Sequence, residues 1–210
     1  MKIQLLIFSL LAFLFLSCAS SVVKFNNFEA SKDSIKIIAI IPYQVAMDVR
    51  YLPKGSDDLD VRKSEEKAGY EAQEYTYDWF AKDFNKYSVA FQEIKETNEL
   101  LSRAKVKYRK LPFIDKAQLC KYLGVDGILS AKLSLTRPRS AGASVTDYIV
   151  EGRNMTFGSG AVAIFNIHDK KDDLLWKYFA QESGTSLLNL NAQINIILKG
   201  AAYKFPYKKK

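Results

Sequence analysis

Few side chains in this sequence could carry covalent chemistry. It holds two cysteines, Cys18 and Cys120, and one histidine, His168. A thiolate–imidazole pair would have to join Cys120 to His168. Cys120, however, shares an apolar helical face with Ala117 and Leu123, where a thiol is expected to be a buried structural group. His168 adjoins the acidic run Asp169–Asp173 and is expected as a solvated strand end. Ser64 and Lys67 stand one helical turn apart, as nucleophile and lysine do in some acyl-transferring hydrolases. The S-D-N and K-T-G elements that complete such a site are missing from the sequence. Gly158-Ser159-Gly160-Ala161-Val162-Ala163 matches the letters of a dinucleotide loop. That chemistry needs the glycines between a strand and a helix, and here a strand is expected to follow. Glu65-Glu66 and Asp172-Asp173 sit in helix-start and turn contexts. No Asp, Glu, His or Cys cluster has metal-ligand spacing, and no phosphate loop occurs. The expectation is no catalytic residue, no metal and no dissociable cofactor.

Cys18 is different, because of what precedes it. Lys2 supplies a positive start, and Ile3 to Leu16 is apolar except for Gln4 and Ser9. That run is shorter than the ~20 residues a spanning helix needs and suits a signal-peptide core. It ends in Phe15-Leu16-Ser17-Cys18-Ala19. A small residue before a cysteine at this point resembles the lipobox of bacterial lipoproteins, with Phe15 where that family usually has Leu. The resemblance implies cleavage between Ser17 and Cys18, a diacylglyceryl group on the thiol, and often an acylated new amine. Two or three chains at ~0.8 kcal/mol per buried CH₂ hold a protein on a membrane permanently. The alternative is an ordinary secretory signal cut near Ala19-Ser20. Ala19, with no Asp after the cysteine, implies the outer membrane by the sorting rule of enteric bacteria. The absence of an acidic cluster in Ala19–Lys24 favours the periplasmic face over the cell surface.

The composition is that of a folded domain. Of 210 residues, 48% are hydrophobic and 26% charged, with a net charge of +8. Without residues 1–17 the chain keeps 30 basic and 23 acidic side chains. The basic residues group at Arg103–Lys110 and in the tail Lys204, Lys208, Lys209 and Lys210. The tail is a candidate contact for anionic headgroups or envelope polymer. Nucleic acid is not an expected partner of an exported lipoprotein.

The elements that must position these groups follow from periodicity. Ile35–Ile41, closed by Pro42, is expected to be a central strand buried on both faces. Ser64 is expected to cap a helix running to Tyr87, with Ala68, Ala72, Tyr75, Trp79, Phe80 and Phe84 inward. Val89–Ile94 is a candidate strand, Thr97 a candidate cap for a short helix, and Lys105–Lys110 a basic loop. Asp115 and Gly124 bracket another helix. Leu129, Ala131, Leu133 and Leu135 alternate with polar residues, as in a half-exposed strand. Residues 44–63 and 136–158 are expected as long, charged or Gly-interrupted segments, the second with a strand at Val145–Val150. Ala161–His168 and Leu174–Phe179 form a hairpin, and a helix over about Ser186–Tyr203 carries Leu187, Leu190, Ile194, Ile197, Leu198 and Ala201.

This order places an Ile-rich strand ending in Pro42-Tyr43 before a long helix. The run Gln118-Leu119-Cys120-Lys121-Tyr122-Leu123-Gly124-Val125-Asp126-Gly127-Ile128-Leu129 then gives a helix, a cap and a strand. It resembles the domain shared by curli-secretion lipoproteins, the TolB amino-terminal domain and activator lipoproteins of peptidoglycan synthases. Ile167-His168, Leu174-Leu175-Trp176-Lys177 to Gly184, and Phe205-Pro206-Tyr207-Lys208 resemble small Bacteroidetes lipoproteins. The resemblance implies a single α/β sandwich, a mixed β-sheet flanked by helices with an antiparallel C-terminal hairpin, that binds envelope proteins or itself. It carries over no catalytic residues. The expected layout is a signal peptide at 1–17, a lipidated tether at 18–33, the domain at 34–207 and a basic tail at 208–210. The expected role is a membrane-anchored, non-enzymatic binding or assembly component of the envelope, with an unknown envelope protein as partner. The alternatives are an oligomeric secretion subunit and, further off, an envelope hydrolase. Secretion pores of this kind insert apolar hairpins, and neither candidate insertion has the sustained alternation that a lipid-facing hairpin needs.

Overall fold

The computed structural model describes residues 19–47, 53–136, 146–150, 153–157, 160–183 and 190–209. Ser17, Cys18 and Lys210 lie outside them, as do parts of both long segments. The described residues form a mixed seven-stranded sheet with helices on both faces. Strand β5 (Gly127–Thr136) is its centre, because three strands pair with it, one along one edge and two along the other. One edge pairs antiparallel with β8 (Gly160–Asp169), which pairs antiparallel with β9 (Leu174–Ser183). The other edge takes β2 (Ile37–Ile40) and then β3 (Gln44–Met47), both parallel. Pro42, without an N–H to donate, falls at the step between them. There the Ile41 N–H donates to Leu129 O (3.1 Å) and the Tyr43 N–H to Gly69 O (3.1 Å).

The expected central strand is therefore one place from the edge, with the two-residue β4 (Ala90–Phe91) outside it. Its burial on both faces holds: Ile38, Ala39 and Ile40 are fully buried. Ile38 and Ile40 face a core shared with helices α2 (Asp58–Ala81) and α5 (Leu190–Tyr203). Ala39 and Ile41 face a smaller core with α3 (Ile94–Arg103), α4 (Lys116–Leu123) and a 3-10 helix at Tyr108–Phe113.

The largest departure is at the amino end. Residues 19–33, expected to be a tether, are part of the domain. Strand β1 (Ala19–Lys24) pairs antiparallel with β9 in continuous register, from Ala19 opposite Gln181 to Lys24 opposite Trp176. The Phe25 N–H extends the ladder to Leu175 O (3.1 Å). The short helix α1 (Phe28–Ser31) then sinks Phe28 to 2% exposure, its ring 5.5 Å from that of Tyr207. The physical reason is the open edge of β9, whose backbone groups gain partners from any strand that can lie along it.

Three helix boundaries also move. α2 starts at Asp57, not Ser64. Asp57 Oδ1 accepts from the Asp60 N–H (2.9 Å), and Asp60 Oδ2 accepts from the Asp57 N–H (3.2 Å). The helix ends at Ala81, with a separate 3-10 turn at Phe84–Lys86. Its inward face is Gly69, Ala72, Gln73, Thr76 and Phe80, so Tyr75 lies outward. Thr97 is an interior residue of α3 whose hydroxyl donates to Gln92 Oε1 (2.8 Å). At α4 the expectation holds: Asp115 accepts from the Ala117 and Gln118 N–H groups, and Gly124 takes φ 68°. Within 136–158, β6 (Thr146–Val150) and β7 (Arg153–Phe157) pair antiparallel as a two-stranded sheet of their own. Among the described residues no helix is long and apolar enough to cross a membrane.

Candidate functional site: a basic aromatic groove beside the first strand

Between β1 and the outer surfaces of α2 and α5 runs a groove of about 470 Å³. Its floor is Tyr178 and Ala180 of β9, and Ser20 of β1 stands at its side. Ser20 is there because it lies opposite Ala180 in the ladder. The helical wall has Ile196, which is 41% exposed, and Tyr203, which is 68% exposed. The other wall brings Trp79 of α2, which is half-buried and packs one side against the main core.

Lysines surround these rings. Lys204 Nζ lies 5.4 Å and Lys208 Nζ 4.9 Å from the centre of Tyr203, and Lys82 Nζ lies 5.4 Å from Trp79. Lys86 and Lys199 also line the groove. The lone carboxylate among the lining residues, Asp83, is engaged by Lys86 at 2.8 Å. The Lys204–Lys209 segment is held in place. Phe205 and Tyr207 are both 3% exposed, the Ser88 N–H donates to Tyr207 O (2.8 Å), and the Lys209 N–H to Lys86 O (2.7 Å). Buried aromatic anchors at every second residue thus turn the tail lysines into a fixed surface.

Of the site residues read from the sequence, Lys204 and Lys208 come together at the groove, and Lys209 is exposed beside it. Cys18, Ser17 and Lys210 lie outside the described residues. Ser20, Trp79, Lys86, Lys199 and Tyr203 line the groove too, without being marked as site residues by the sequence. Tyr203 left a signal, because it departs from the inward stripe Ile194, Ile197, Leu198, Ala201 and neighbours two lysines.

A second groove, of about 570 Å³, opens over the opposite face of β5 and β8, between Gln44, Ser130, Lys132, Asn166 and His168 and the wall Leu111–Lys116. Phe113 stands on this wall at 84% exposure. His168 is half-buried there rather than solvated. Burial pushes its pKa down, and its Nδ1 has no hydrogen-bond partner among the described residues. Lys116 is lowered by burial too, and its ammonium donates to Ile114 O (2.8 Å). Cys120 lies in the small core, where burial pushes its thiol up to about 12. Its thiolate is thus scarce at neutral pH. Gly160 opens a strand, not a helix, so the dinucleotide spacing has no helix terminus to face a phosphate.

No protein-family model and no curated protein sequence matches the chain. Three solved structures align along most of it. The lipoprotein GNA1162 from Neisseria meningitidis has 9% identity and a TM-score of 0.41 over 80% of this chain and 94% of that one. The PelC dodecamer from Paraburkholderia phytofirmans has 9% identity and a TM-score of 0.44 over 89% and 96%. The LpoB C-terminal domain from Salmonella enterica has 5% identity and a TM-score of 0.34 over 74% and 91%. At these scores neither fold nor function passes from those proteins to this chain.

Proposed function

We propose that the chain is exported, acylated on Cys18 and held on the outer membrane, facing the periplasm, as a non-enzymatic binding or assembly component of the envelope. The apolar run ending in Phe15-Leu16-Ser17-Cys18 carries this reading, and the start of β1 supports it by showing where an anchor would enter. Ala19, the residue after Cys18, is already opposite Gln181 in the sheet. An anchor at Cys18 would feed directly into the domain with no slack between lipid and ladder. The domain would then be confined at the surface, which raises its effective concentration for a neighbouring partner to roughly the millimolar range. The burial of Cys120, which makes its thiolate scarce, supports a role that does not use it as a nucleophile.

A second reading, a ring subunit of a secretion complex, is favoured by the separate β6–β7 hairpin. Light scattering on native protein extracted in mild detergent separates the two. A monomer or small oligomer is the result expected of a tethered binding component, and crosslinking from the membrane would then find its partner. A ring-sized particle would overturn that role in favour of the secretion subunit.

A further inference from the structure

We infer that the basic aromatic groove is a docking surface for anionic phospholipid headgroups, turned toward the bilayer that receives the Cys18 acyl chains. This rests on the acylation proposed above and deepens it by assigning the face of the domain that meets lipid. Covalent geometry supplies the first argument. Consecutive Cα atoms are 3.8 Å apart, so Cys18 is within ~7 Å of Ser20, which lines the groove. Chains on Cys18 would enter the bilayer at the rim of this groove.

Charge supplies the second. Among the described residues Lys199, Lys204 and Lys208 make no ion pair, and Asp83 is already engaged by Lys86. The surface therefore has ammonium groups to offer to phosphate. Ring chemistry supplies the third. Tyr203 and Trp79 present apolar bodies with polar edges, the shape favoured at the headgroup level, and flanking lysines can extend their ammoniums outward. An isolated basic patch would suit any polyanion. The exposed Tyr203 ring and Ile196, with the half-buried Trp79 beside them and the proposed acylation point nearby, select a lipid surface.

The chain has two tryptophans, and Trp176 is fully buried, so bilayer-dependent quenching reports Trp79. The processed full chain would be reconstituted into vesicles of phosphatidylcholine, with and without phosphatidylglycerol, carrying brominated acyl chains. Its intact mass would be taken on the same sample. Quenching is expected with phosphatidylglycerol and much less without it. Near an anionic surface one lysine shifts the docked population about fivefold. The K204E/K208E double variant should therefore lower it by more than tenfold, while K204R/K208R retains it. Both side chains are exposed, so neither variant threatens the fold. Acylated protein with no quenching, or with quenching indifferent to lipid charge and to both variants, overturns the docking surface. So does a groove that captures a soluble anionic glycan while Trp79 stays unquenched. An unacylated chain whose Trp79 is still quenched by the anionic vesicles would refute the acylation and sustain the surface.

Discussion

Replacing Phe28 with Ala tests whether the segment after Cys18 belongs to the domain. Phe28 is 2% exposed, it packs against Tyr207, and Lys24 Nζ lies 4.9 Å from its ring centre. Truncating a buried Phe costs ~3–5 kcal/mol. The lower end applies here, because α1 is four residues long and close to a chain end, so it can relax around the void. At ~2–4 °C per kcal/mol for a chain of this size, ~3 kcal/mol lowers the melting temperature by roughly 6–12 °C. The loss should also have a location. Without its knob, β1 keeps only the ladder to β9, so amides of residues 20–24 should exchange with solvent well before those of β5 and β8. The assay is thermal unfolding of processed protein in detergent, with hydrogen exchange resolved by peptide. A melting temperature within a degree of wild type, with unchanged exchange at residues 20–24, would mean that residues 19–33 are a tether after all.

Other outcomes follow from single sites. Gly69→Ala should destabilise the protein although Ala gains about 1 kcal/mol in a helix. Its Cβ would lie 2.3 Å from Tyr43 O and 2.7 Å from the Tyr108 ring, and overpacking of this kind costs about 1–3 kcal/mol. A raised denaturant midpoint would refute the close approach. Asp126 accepts from the Lys36 and Ile37 N–H groups (2.9 and 3.0 Å) and pairs with Lys170. Burial alone would raise its pKa, but Lys170 and the two amides outweigh that and hold the carboxyl below its usual range. A depressed folded-state pKa gives stability that is present above the ordinary carboxylate value and lost as pH falls through the folded one. Asp126→Asn should therefore cost about 1 kcal/mol at neutral pH, and its unfolding curve should converge on wild type in acid. A constant gap at every pH would show that the charge is irrelevant. Thiol titration of processed protein should find none reactive in the native state and one, Cys120, after denaturation. A reactive native thiol would mean that Cys18 is free or Cys120 accessible.

The interior was legible where one kind of physics acted alone. Ile35–Ile41 announced a doubly buried strand because β-branched residues fill both faces. Asp115 and Gly124 marked α4 because an N-cap carboxylate and a left-handed C-terminal residue are local requirements. The Asp169–Asp173 turn marked its hairpin, where Asp169 accepts from the Lys171 and Asp173 N–H groups. Reading failed where backbone or polar groups hold the contact. Residues 20–25 are all exposed, so β1 has no buried side-chain pattern to detect and depends on main-chain hydrogen bonds. The inward face of α2 was legible in part. Ala72 and Phe80 are buried and Ala68 and Trp79 pack against the core, whereas Tyr75 and Phe84 are exposed. Gly69 and Gln73 escaped notice because they look small or polar. Gly69 is there for close approach, and Gln73 is fully buried because its amide donates to Ile40 O (2.7 Å) and Asn98 Oδ1 (3.1 Å). The groove was half legible. Its tail lysines are a visible run, while Trp79, Lys86 and Ser20 join them only through the packing of α2, α5 and β1.

The proposed cleavage before Cys18 and acylation of its thiol are tested most directly by the intact mass of the processed protein. The expected mass is that of a chain beginning at Cys18 with covalent diacylglycerol, often with a further acyl group on its amine. A chain beginning at Ala19 or Ser20 with no lipid would contradict the proposal.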